Sequence, residues 1–172
     1  MAELKDLVRS IPNFPKQGIV FRDVTTLLKD KDGLRSAIQG LAGRFRTAGV
    51  DKVVCIEARG FIIGGALAYE LGCGVVIVRK PGKLPSETVS QTYQLEYGTD
   101  KIEMHRDALA KGDRVLLVDD LLATGGTARA AADLVERVGA TIVGCGFLIE
   151  LADLSGRQIL NKYDVFSLIK YD

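Results

Sequence analysis

Five stretches rich in β-branched residues, Lys52 to Glu57, Gly74 to Arg79, Arg114 to Asp119, Thr141 to Leu148 and Val165 to Lys170, are apolar on consecutive positions rather than on every second one. A strand with one wet face alternates, whereas a strand covered on both faces reads as a continuous apolar run, which is the pattern of a parallel sheet. Between these runs the spacing predicts helices over Gly33 to Ala48, Phe61 to Leu71, Thr127 to Val138 and Asp153 to Leu160. Buried strands alternating with helices imply an α/β fold, a mostly parallel twisted sheet flanked by helices and joined by right-handed crossovers. The length of 172 residues suits one domain spanning 1–172.

Two segments break the rhythm. Residues 1–30 read as a small N-terminal cap: a short helix near Ala2 to Ser10, then IPNFPKQGIVFRDVT, whose prolines and glycine suggest turns rather than a sheet strand. Residues 83–104, KLPSETVSQTYQLEYGTDKIEM, are hydroxyl-rich and alternate Tyr93, Leu95 and Tyr97 against Gln94 and Glu96 before a turn at Gly98-Thr99-Asp100. That is a long protruding hairpin, the kind of insertion that often serves as a lid. Gly72-Cys73-Gly74 precedes its strand and reads as a helix stop.

Several function classes are excluded early. A formal net charge of +1 is not the basic surplus of a nucleic-acid-binding protein, though it leaves room for a local basic patch. No window has the apolar length of a membrane span, and Glu3, Lys5, Asp6 and Arg9 interrupt any signal-peptide core, so a cytoplasmic protein without nucleic-acid or membrane partners is expected. Cys55, Cys73 and Cys145 are odd in number and set among apolar residues, as buried reduced thiols are. His105 is the only histidine, which rules out a multi-histidine zinc site. The chemistry falls to carboxylates, Arg, Lys and backbone.

The stretch VLLVDDLLATGGTA places Asp119 and Asp120 at the carboxyl end of an apolar strand, where open α/β sheets bind their ligands. Ala123, Thr124, Gly125, Gly126 and Thr127 then open a helix; the glycines let successive N–H groups converge, and the helix N-terminus adds positive potential, so the loop suits a phosphate. The lysine of a nucleoside-triphosphate loop is missing. An ordinary strand-to-helix turn with a threonine cap has the same look, as a solvated basic turn would explain Arg79, Lys80 and Lys83, a wet strand edge Glu96, and a core aromatic Phe21.

Taken together, PNFPKQGIVFRD at Pro12 to Asp23, EARGF at Glu57 to Phe61, RKPGKLP at Arg79 to Pro85, LEYG at Leu95 to Gly98 and VDDLLATGGT at Val118 to Thr127 resemble, in order and spacing, the type I phosphoribosyltransferase family in its adenine-specific branch. The resemblance implies transfer of a 5-phosphoribosyl group from PRPP to adenine, giving AMP and pyrophosphate, with Mg²⁺ carried by PRPP, in a homodimer. It implies that the 5-phosphate lies in the loop 123–127, the ribose hydroxyls on Asp119 and Asp120, and the pyrophosphate at Ala58, Arg59, Arg79, Lys80 and Lys83. A cis peptide between Glu57 and Ala58 and a part for Arg79 in the neighbouring subunit follow from it too. Glu96 would stand near N7 of the base, which would lie between Phe21 and Leu121 and be read by backbone groups around Val20 and Arg22. Two alternatives stay open: a transferase for guanine, hypoxanthine or xanthine, and a non-catalytic PRPP-sensing regulatory module.

Overall fold

Between Arg9 and Asp23 the chain makes a paired ribbon, where its prolines had suggested turns alone. In the computed structural model, which describes residues 3–94 and 98–172, a 3-10 turn at Leu4–Leu7 leads into β1 (Arg9–Pro12), which pairs antiparallel with β2 (Val20–Asp23). The turn-forming residues are confined to the tip: Asn13 takes a positive φ and its side chain accepts from the Gly18 amide at 2.9 Å. The expected N-terminal helix is correspondingly shorter. After a single-turn helix α1 (Thr25–Leu28) comes α2 (Lys31–Phe45), which starts two residues before the expected Gly33 because the Asp30 carboxylate caps the amides of Asp32 and Gly33 at 3.1 and 2.7 Å.

The five apolar runs become strands of one sheet. In chain order, β3 (Lys52–Ile56), α3 (Gly60–Leu71) and β4 (Gly74–Val78) are followed by a hairpin of β5 (Thr88–Gln94) and β6 (Thr99–His105). Then come β7 (Arg114–Leu122), α4 (Gly126–Arg137), β8 (Thr141–Leu151), α5 (Gly156–Ile159) and β9 (Val165–Tyr171). The sheet order is β4-β3-β7-β8-β9, every pair parallel. Gly72 ends α3 in the left-handed conformation, as its place in the sequence predicted.

Both faces are covered. Val53, Leu116 and Val118 pack against α2 and α3, while Val54, Val115 and Leu117, one residue over on the same strands, pack against α4. Burial of each such side chain is worth about 1.5–3 kcal/mol, which is why the middle of β3 and of β7 is apolar at consecutive positions. The hairpin's stem is not free-standing: Ile102 and Met104 are buried in the α4-side core, Arg137 donates to the Ser90 carbonyl at 2.7 Å, and Arg79 bridges to Glu103. Leu95, Glu96 and Tyr97 lie outside the described residues.

The expected helix over Asp153 to Leu160 is broken in two. A 3-10 turn, Ala152–Leu154, is separated from α5 by Ser155 at φ 55°, because the chain must swing Gly156 against the loop that follows β7. No helix among the described residues is long and apolar enough to cross a membrane.

Candidate active site

From β3 the chain runs through α3 outward to β4, and from β7 it runs through α4 in the other direction to β8 and β9. The helices α3 and α4 consequently leave the carboxyl ends of two adjacent strands toward opposite faces and open a crevice between them, the position where doubly wound sheets bind ligands. A cavity of about 260 Å³ occupies it, lined by Glu57, Ala58, Arg59, Arg79, Lys80, Tyr93, Asp119, Asp120, Leu121 and Thr127 among others.

Strand lengths put the acids there. The last β3–β7 pair is Cys55 with Val118, whereas β7 goes on beside β8 as far as Leu122 with Glu150. Asp119 and Asp120 are therefore inside the strand, not at its end as the sequence suggested, yet past the end of β3 and open to the crevice. Gly60 at the start of α3 leaves room for Asp119: a Cβ at Gly60 would fall 2.8 Å from Asp119 Oδ1. That oxygen accepts the Asp120 amide at 2.8 Å. Burial, and then the charge of Asp120, push the Asp119 carboxyl well above the ordinary carboxylate range, with the Asp120 amide and Arg59 opposing them.

Each cation lining the cavity meets an acid of the same site. Arg59 Nε donates to Asp120 Oδ2, and its guanidinium lies 5.9 Å from the Phe21 ring centre. Arg79 reaches both oxygens of Glu57 at 3.2 and 3.3 Å, and the Lys80 amide donates to Glu57 at 2.9 Å. That amide, against the cost of burial, and the Arg79 guanidinium hold the Glu57 carboxyl below its usual range. The Lys80 ammonium is bound by Asp100 on β6, which also accepts from the Tyr93 hydroxyl at 3.2 Å. Tyr93 in turn accepts from Thr127 Oγ1 at 3.2 Å, so the hairpin is tied to both the basic loop and the start of α4.

Beside this cavity, and sharing Asp119, Leu121 and Thr127 with it, is a concavity of about 90 Å³ formed by the loop 123–127. Gly125 stands at φ 85°, where a side chain is strained, and the first N–H groups of α4, which have no partner within the helix and no side-chain cap, belong to residues that line the hollow. Among the described residues no cluster of three or more His, Cys, Asp or Glu side chains has the arrangement of a resident metal site.

The predicted residues Ala58, Arg59, Arg79, Lys80, Asp119, Asp120, Leu121 and Thr127 all line the main cavity, and Ala123, Thr124, Gly125 and Gly126 line the adjoining one. The peptide between Glu57 and Ala58 is cis. Phe21 approaches through its contact with Arg59. Lys83, Val20 and Arg22 do not line the cavity; the Arg22 guanidinium stacks 3.8 Å over the Tyr171 ring and donates to Ser10 Oγ at 2.5 Å. Glu96 lies outside the described residues. Sequence reasoning passed over Glu57 as an arginine anchor, Tyr93 and Asp100, although the alternation of the hairpin had already set Tyr93 on one face.

A crevice at the switch point, an acidic pair on its floor and an amide hollow beside it define a phosphoribosyltransferase site. The model of the phosphoribosyl transferase domain matches residues 23–171, and the chain belongs to that family. Relatives that share 55–60% of its residues are adenine phosphoribosyltransferases. The chain is 60% identical to the adenine phosphoribosyltransferase of Solibacter usitatus, over 100% of its own length and 99% of the relative's. Among solved structures it is similar to adenine phosphoribosyltransferase from Thermoanaerobacter pseudethanolicus, with TM-score 0.95, 52% identity and 98% of each chain covered. It is also similar to the Saccharomyces cerevisiae enzyme complexed with an imino-altritol bisphosphate and adenine, with TM-score 0.90, 41% identity and 96% of each chain covered.

Proposed function

We propose that the protein, as one catalytic domain with its cap and lid, transfers the 5-phosphoribosyl group of PRPP to N9 of adenine, releasing AMP and pyrophosphate. The observation that carries this reading is the shared wall: Asp119 lines both the cavity and the amide hollow. A sugar phosphate has the same two parts. Its terminal phosphate suits the loop 123–127 at the head of α4, and its vicinal hydroxyls are donors for the two carboxylates.

Binding then exchanges partners. Arg59 gives up Asp120 for the oxygens of the departing pyrophosphate, and Asp120 takes a ribose hydroxyl in return. Arg79, Lys80 and Lys83 supply further positive charge on the same side, while Glu57 fixes the direction of Arg79. As the bond between C1 and pyrophosphate lengthens, positive charge grows on the sugar, and the carboxylates beneath it stabilise that charge. The donor set, two carboxylates and no closed cage, fits a Mg²⁺ that arrives on the diphosphate of the substrate. Bound there, the ion would neutralise the leaving group.

Adenine presents an acceptor at N1 and a donor at N6, the reverse of an oxo-purine, so one backbone N–H and one C=O around Val20 and Arg22 suffice to select it, with Phe21 and Leu121 on its faces. Glu96 accepts the ring proton at N7 as N9 attacks C1, which leaves the base of AMP neutral. The homodimer we propose uses the apolar surface along β4: Ile62 and Tyr69 share the outer side of α3, and Val75 and Ile77 project on the same side of the sheet, all exposed by 37% or more. Such a patch, on an edge strand, is a surface that association covers.

The test is synthesis. The protein is mixed with PRPP, Mg²⁺ and adenine, guanine, hypoxanthine or xanthine in separate reactions, and nucleotide is measured. AMP from adenine alone is expected; nucleotide mainly from an oxo-purine, or none from any base, overturns the assignment.

A further inference from the structure

Behind the amide hollow stands a second backbone. Gly156, buried at the first position of α5, approaches so closely that a Cβ there would lie 2.1 Å from the Ala123 carbonyl oxygen and 2.9 Å from the Gly125 nitrogen. The contact is reciprocal: a Cβ on Gly125 would lie 2.7 Å from the Gly156 oxygen. Neither residue tolerates a side chain, and Gly156 lies 29 positions after Thr127, outside the motif that the loop itself displays.

What holds Gly156 there is the next residue. Arg157 grips Glu150 with two parallel bonds, Nε to Oε1 at 2.8 Å and Nη2 to Oε2 at 2.5 Å, and its Nη1 donates to the Val165 carbonyl at 2.6 Å. Glu150 is buried and also accepts from Ser167 Oγ on β9. Its backbone partner across the sheet is Leu122, the residue immediately before the loop. The Glu150–Arg157 pair therefore fixes both the root of the loop, through β8, and its rear wall, through Gly156.

We propose that Gly156 and Arg157 are positioning residues for the 5-phosphate, a brace that sets the curvature in which the amides of the loop 123–127 converge. The inference rests on the reading of that loop as the phosphate site. A brace of this kind acts on one half of the substrate. Ribose 5-phosphate depends on the loop, whereas pyrophosphate is held by cations on the other side of the cavity.

The experiment is calorimetric titration of the unaltered protein and of Gly156→Ala, Arg157→Gln and Arg157→Lys with ribose 5-phosphate and, separately, with pyrophosphate. Gly156→Ala and Arg157→Gln are expected to weaken ribose 5-phosphate by about tenfold or more, with pyrophosphate within about twofold of the unaltered value. Arg157→Lys, which keeps the charge but loses the fork, is expected to lie between. Should Gly156→Ala or Arg157→Gln not yield folded protein, Arg157→Lys carries the test, since it keeps a cation beside the buried Glu150. Equal weakening of both ligands, or of neither, overturns the brace. If the unaltered protein itself fails to bind ribose 5-phosphate, the phosphate reading has failed and the brace falls with it; if it binds and the variants bind equally well, only the brace has failed.

Discussion

Arg59 and Asp120 are joined across the floor of the crevice, a guanidinium 45% exposed against a carboxylate 10% exposed. The asymmetry separates stability from function. In Asp120→Asn the arginine can turn to water, so the loss of folding free energy should stay within about 1 kcal/mol. The variant amide no longer offers a ribose hydroxyl a charged acceptor nor the reacting carbon a negative charge, and turnover at low PRPP should fall roughly 10²-fold. Urea denaturation beside initial-rate measurements checks both halves; a large loss of stability with intact kinetics would make the pair structural instead.

Asp119 makes a prediction about pH. Its carboxyl is held above the ordinary value of 3.8, so the folded protein keeps a proton that the unfolded chain has released. The resulting contribution to stability is fully present below the ordinary value and is lost as pH rises through the folded-state value. A ribose hydroxyl, by contrast, donates best to the ionised form, so AMP binding strengthens over the same rise. The melting temperature of the free protein should therefore fall across this window while the increase caused by AMP grows. Asp119→Asn should remove the Asp119 share of both slopes, and thermal scans of the variant and the unaltered protein with and without AMP at stepped pH would show the difference.

Much of this was legible because β-branched runs and glycine loops carry their reasons locally. A short apolar run rich in valine, such as Arg114 to Val118, reads by its length and composition as a strand covered on both sides, and a glycine pair before a helix announces its own conformation. What the sequence hid was relational. Nothing local to Gly156 tells that it abuts Ala123, and nothing in Asp100 tells that it holds Lys80, because both contacts are decided by how distant elements pack. The ribbon of β1 and β2 was missed for a different reason: its strands have four residues each, too few for alternation to outweigh the prolines beside them.

Glu150 gives the pH dependence of opposite sign. Arg157, against the cost of burial, and Ser167 hold its carboxyl down at about 2, from an ordinary 4.5. Its contribution is present above the ordinary value and disappears as pH falls through about 2. The side chain is 6% exposed, so the shift corresponds to about 3 kcal/mol at neutral pH. Glu150→Gln should lower the unfolding free energy by that order at pH 7, and the difference from the unaltered protein should shrink steadily between pH 4.5 and 2 in denaturant titrations.

Tyr69 is 90% exposed on the outer face of α3, in line with Ile62 one heptad before it. A tyrosine so placed contributes almost nothing to the fold of an isolated chain, so replacing it with glutamate should leave the circular dichroism spectrum unchanged. If the apolar surface with Val75 and Ile77 is the dimer contact, Tyr69→Glu buries a charge at its centre, at a cost of several kcal/mol when unpaired. Sedimentation should then show a monomer for the variant and a dimer for the unaltered protein at the same concentration. Since Arg79 follows directly on β4, the monomer should also bind pyrophosphate less tightly than the dimer, whereas a variant that stays dimeric would place the contact on another face.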